Sequence, residues 1–145
     1  MQPWIFHPGD HLWAASDALE GTYSAIFEDD GETGYFYAYD RARDNSPILD
    51  AVFIYNVKYV KDRDKASEAM IYWSNTHDKC ALNINGYPHA AFDFEARRGF
   101  GRADFPNFEK SSNALWPQQD HIWSDDAVNW LYERESEASA CKGTV

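Results

Sequence analysis

Histidine and cysteine are the side chains here best suited to metal or nucleophilic chemistry, and their spacing favours neither. The histidines are His7, His11, His77, His89 and His121. His7 and His11 have the i, i+4 spacing that aligns two ligands on a helix, but Pro8-Gly9 between them breaks a helix, so both read as loop residues. Cys80 and Cys141 form no CxxC pair and no spaced Cys/His set, and Cys80, at the start of a strand, reads as a small core residue. No GxSxG elbow, HExxH, GxGxxG or P-loop is present, so no catalytic residue is assigned, no cofactor is expected and the balance lies against an enzyme. Asp40, Asp50 and Asp93 could support paired-carboxylate hydrolysis only if folding brought them together.

Three groups could bind rather than react. Glu28, Asp29, Asp30 and Glu32 offer oxygen ligands to a hard cation, but the loop lacks the D-x-[DN]-x-[DN]-G spacing and distal Glu of a calcium loop, so it reads as a solvated hairpin tip with no metal. Arg97, Arg98 and Arg102 cluster around Gly99-Phe100-Gly101 in an otherwise negative chain. Beside glycine-exposed amides they could hold a carboxylate or phosphate; paired with the chain's own acids they would be structural. Tyr35, Tyr37 and Tyr39 share one strand face, which is either a recognition surface or a half-buried cross-strand stack.

The elements that must position these residues are mostly strands. Residues 22–28 alternate in period two, the Asp29-Asp30-Gly31-Glu32-Thr33-Gly34 turn follows, and residues 35–40 resume the alternation. Residues 48–57 are apolar on both faces and read as a central strand, with a fourth over 69–74. Residues 81–84 and 87–94 flank Asn85-Gly86, the dipeptide best suited to a type I′ hairpin; Pro88 puts the second of these strands at an edge or on a bulge. Residues 95–119 read as a long loop pinned by Phe100, Phe105, Phe108 and Trp116. Ser124 as N-cap and a Val128, Leu131, Tyr132 stripe predict one helix over 125–135. The expected fold is α+β: an antiparallel, hairpin-built sheet of about six strands with that helix packed on it. One globular domain is expected over residues 1–135, with a disordered tail over 136–145.

The chain has 145 residues, 17% of them aromatic, and a formal charge of −11. A domain of this size stands without disulfides or metal. Its charge repels phosphate backbones and anionic lipids, so neither nucleic acid nor membrane is an expected partner, whereas a basic protein is. No apolar leader and no span of about 18 apolar residues are read, which makes the cytoplasm the expected compartment.

The segments Phe27-Glu28-Asp29-Asp30-Gly31-Glu32-Thr33-Gly34-Tyr35-Phe36-Tyr37 and Asn85-Gly86-Tyr87-Pro88-His89 resemble a family of small bacterial proteins known only as a domain of unknown function, over about residues 21–106. The resemblance implies a bacterial origin and a compact domain, and carries over no catalytic residue. The residues themselves favour a non-enzymatic binding or regulatory protein acting on a basic protein partner, in the manner of an immunity protein or nucleic-acid mimic. The alternative is a small-molecule-binding protein or hydrolase with an anion site in the Arg97 to Arg102 loop.

Overall fold

The computed structural model describes residues 3–102, 115–117 and 120–132. Within them lie nine strands: β1 (Trp4–Phe6), β2 (Trp13–Asp17), β3 (Tyr23–Asp29), β4 (Thr33–Asp40), β5 (Ile48–Asn56), β6 (Ser67–Trp73), β7 (Lys79–Ile84), β8 (Tyr87–Asp93) and β9 (Arg98–Gly101). They pair antiparallel in two sheets, β1-β6-β7-β8-β9 and β2-β3-β4-β5. Alternation sends Phe27, Phe36 and Val52 of one sheet against Ile71, Leu82 and Phe92 of the other, and all six are fully buried. Phe36 stacks on Phe92 with centroids 4.9 Å apart, and Phe6 meets Phe27 edge-on at 5.4 Å. Each such side chain stabilises the fold by roughly 1.5–3 kcal/mol.

The antiparallel hairpins form as expected, but nine strands in two sheets replace about six in one. Three short strands escaped the sequence reading. β1 and β2 have only three and five residues, and β9 lies inside the stretch taken for a long loop. β5 is not central; it ends the four-stranded sheet. Val52 is buried on its inner side and Phe53 packs edge-on against Tyr35 on its outer side, while the amides of Leu115 and Trp116 both donate to the Leu49 carbonyl at its edge at 3.1 Å. β8, despite Pro88, lies between β7 and β9. The proline is absorbed by a register shift between Leu82 and Asn83, so the bulge holds and the edge position does not.

The chain's C-terminal helical segment opens as a 3-10 turn over Asp125–Val128 and continues as α-helix over residues 129–132. Ser124 precedes it with extended backbone, but its side chain makes no capping bond. Val128 and Leu131 are buried against Ala81 and Ala91 on the outer face of the five-stranded sheet, where the small alanines admit the helix. Tyr132 points outward at 57% exposure, so Ala127 and Trp130 complete the packed stripe in its place. Among the aromatics expected to pin the loop, Trp116 enters the core edge-on to Phe92 and Phe94, and Phe100 packs under the helix. Phe105, Phe108, the helix end over 133–135, Cys141 and the tail over 136–145 lie outside the described residues. Among the described residues no helix is long and apolar enough to cross a membrane.

Candidate functional site

β4 pairs on both sides, and its inward residues Phe36 and Ala38 are fully buried. Period-two alternation therefore sets Tyr35, Tyr37 and Tyr39 together on the outer face of the four-stranded sheet, away from the helix. Tyr35 and Tyr37 stack at 6.1 Å with rings 18° apart. From β5, Phe53 meets Tyr35 edge-on at 5.8 Å; from β2, Trp13 tilts over Tyr37 at 6.4 Å and is 59% exposed. Tyr39 lies further along the same face, opposite Ser24 and Ile48 and past an irregularity in the β5 register. The result is an aromatic band across β2, β4 and β5.

One carboxylate sits inside the band. Glu28 on β3 is opposite both Trp13 and Tyr35, and its Oε1 accepts a 2.9 Å hydrogen bond from the Tyr37 hydroxyl. Burial, and then Glu28 itself, push the Tyr37 hydroxyl well above its ordinary pKa, so it stays a donor. Rings with negative faces beside a carboxylate suit a cationic side chain.

The three arginines are not gathered into one cradle. Arg97 donates to the Leu115 carbonyl at 3.2 Å, from the turn before β9. Arg98 and Arg102 stand at opposite ends of β9, where Arg98 lies over Phe100 at 5.7 Å. The Arg102 guanidinium is sandwiched between Trp123 at 4.0 Å and Tyr87 at 4.4 Å; it donates to the Pro88 carbonyl and lies 3.9 Å from Asp125. Gly99 and Gly101 face the opposite way, into the gap between the sheets.

The acids are likewise separated. Asp40 accepts from Thr22 and Ala42, Asp93 from Ala96, and Asp50 is buried with its Oδ2 2.8 Å from His121 Nε2. His121 is almost as buried, so this contact ties it to β5; its Nδ1 has no hydrogen-bond partner among the described residues. At the β3–β4 turn, Asp29 is buried and Asp30 accepts from the amides of Glu32 and Thr33, which lower its pKa. Burial pushes the Cys80 thiol far up, as suits a core residue. Among the described residues no three His, Cys, Asp or Glu side chains are grouped to hold a metal.

Residues 6–132 match the family DUF2251, described as an uncharacterized protein conserved in bacteria. The chain belongs to this family. An uncharacterized protein of Haemophilus influenzae is 36% identical to this DUF2251 member over 129 residues, which cover 84% of this chain and 78% of that protein. No solved structure matches it. The match extends beyond residues 21–106 on both sides, starts at the last residue of β1, and takes in β2, β9 and the C-terminal helical segment.

Sequence reasoning found the tyrosine face of this DUF2251 chain but missed Trp13 and Phe53, which widen it, and Glu28 as its carboxylate. A Trp13-Ala14-Ala15-Ser16-Asp17 segment carries little hydrophobic alternation, so β2 left almost no signal. Phe53 was legible as a strand residue, but its side depends on pairing with Tyr35 across a register shift.

Proposed function

We propose that this protein is a non-catalytic binding module, acting in the cytoplasm, that takes a basic protein partner on the outer face of its four-stranded sheet. The observation that carries the reading is the Trp13, Tyr37, Tyr35 and Phe53 band with Glu28 inside it, on a chain of net charge −11. Tyrosine and tryptophan present large, rigid contact area, and acids around them favour and steer a basic partner. An anion site in the Arg97 to Arg102 loop has less support, because those side chains diverge and two of them are engaged by carbonyls.

Capture from a host lysate on the immobilised protein at low salt tests the reading. The expected result is a basic protein released by added salt, with Trp13→Ala and Tyr37→Ala each weakening capture by about 2 kcal/mol, the scale of an interface anchor. Retention of no salt-releasable protein, or retention indifferent to both substitutions, counts against it.

A further inference from the structure

The outer strand of a sheet presents a row of backbone donors and acceptors, and proteins usually cover or blunt such rows. Among the described residues, three of the four sheet edges are treated in this way. Leu115 and Trp116 occupy the Leu49 carbonyl of β5. Gly101 of β9 donates to His121 at 3.0 Å and bridges Ile122. β1 has only three residues and lies between Pro3 and Pro8. β2 is the exception: it has five residues, pairs with β3 alone, and contains no proline, no lysine and no register shift.

The phase of its ladder follows from two flanking bonds. Asp29 N–H donates to the Leu12 carbonyl at 2.9 Å, and Ala18 N–H donates to the Tyr23 carbonyl at 3.0 Å. Hydrogen bonding alternates along an antiparallel pair, so Ala14 and Ser16 face β3 while the N–H and C=O of Trp13, Ala15 and Asp17 face outward. The side chains of these same three residues are exposed, on the side of the aromatic band.

We infer that β2 is a docking edge that accepts an extended basic segment of the partner as a fifth strand of the four-stranded sheet. The inference rests on the basic-partner reading above and adds how the partner is held. Main-chain bonds to Trp13, Ala15 and Asp17 supply the attachment, and alternate side chains of the incoming strand supply selectivity. On the band side those side chains meet the Trp13 ring and the carboxylates of Glu28 and Asp17. Tyr37 bonds one oxygen of Glu28, while Ser24 and Arg41 share one oxygen of Asp17, which leaves each a second oxygen for a lysine or arginine. A second copy of a chain carrying −11 would be repelled from the same edge.

The test titrates the isotope-labelled full chain, at low salt, with a short extended peptide of alternating lysine and valine. The same peptide N-methylated on alternate residues, in either phase, keeps the charge but cannot complete a ladder. Amide shifts and slowed exchange at Trp13, Ala15 and Asp17 are expected. Ala15→Pro removes an outward N–H without breaking a bond to β3, whereas Ala15→Thr retains it. Affinity should fall about tenfold for Ala15→Pro and for the methylated peptide on the unaltered chain, the scale of one lost ladder bond and its disturbed neighbours, and should persist for Ala15→Thr. Equal binding of both peptides, or of both variants, overturns the edge inference while leaving the basic-partner reading intact. Absence of binding by either peptide overturns it too, and the capture experiment then decides the basic-partner reading separately. Self-association abolished by Ala15→Pro assigns the edge to a second copy and also overturns the inference.

Discussion

The Asp29 carboxylate accepts hydrogen bonds from the Gly9 amide at 2.7 Å, the Gly31 amide at 2.8 Å and the Tyr55 hydroxyl, so one buried acid joins the β1–β2 loop, the β3–β4 turn and β5. Asp29→Ala strands two amides and is expected to cost about 3 kcal/mol in urea unfolding, against about 1 kcal/mol for an exposed capping acid such as Asp30. Tyr55 titrates far above its ordinary value through burial first and the Asp29 hydrogen bond second, and Tyr37 does so through burial and Glu28. A raised folded pKa favours the neutral phenol, so this stability is fully present below the ordinary value of about 10 and is lost as pH rises through the folded value. Thermal midpoints should therefore fall above about pH 10, and less steeply in Tyr55→Phe and Tyr37→Phe. Part of the candidate site was legible at this scale: period two placed Tyr35, Tyr37 and Tyr39 on one face, and the Gly31 amide lies in the same turn as Asp29, while Gly9 and Tyr55 reach it from segments twenty or more residues away that no local spacing announces.

At the scale of elements, the Asn85-Gly86 turn has φ of +53° and +78°, as a two-residue type I′ connection requires. Gly86→Ala should cost about 1 kcal/mol, the penalty for an L side chain in the left-handed region, measured as a shift in unfolding midpoint. The Gly99-Phe100-Gly101 run answers a different need. A Cβ on Gly101 would lie 2.5 Å from Val52 Cγ1, and one on Gly99 would lie 2.7 Å from Asp50 Oδ2, because β9 and β5 approach closely. Gly101→Ala is expected to cost about 1–3 kcal/mol through overpacking, and Val52→Ala should recover part of that in a double-mutant cycle. Hairpins were legible because their turn residues are neighbours in sequence. β9 was not, because its glycines serve contacts with β5 residues some fifty positions earlier.

Over the whole molecule, excess negative charge opposes compaction, and salt screens it. The thermal midpoint should rise as salt is raised from about 10 mM to about 200 mM, where the Debye length shortens from about 30 Å to under 10 Å, and a flat response would show that charge repulsion is not a material term. By itself the sequence determined what depends on neighbours along the chain: the antiparallel hairpins, the Asn85-Gly86 turn, the shared tyrosine side, the acidic charge and the short helical segment after Ser124. Tertiary structure alone decided how strands far apart are sorted. β1 pairs with β6 across some sixty residues, β5 became an edge met at Leu49 by Leu115 and Trp116, and the helix took the five-stranded sheet, leaving the tyrosine band on the opposite outer face. Period two states that two faces differ but not which sheet each will meet, since that choice rests on the burial and close approach of side chains no local pattern relates.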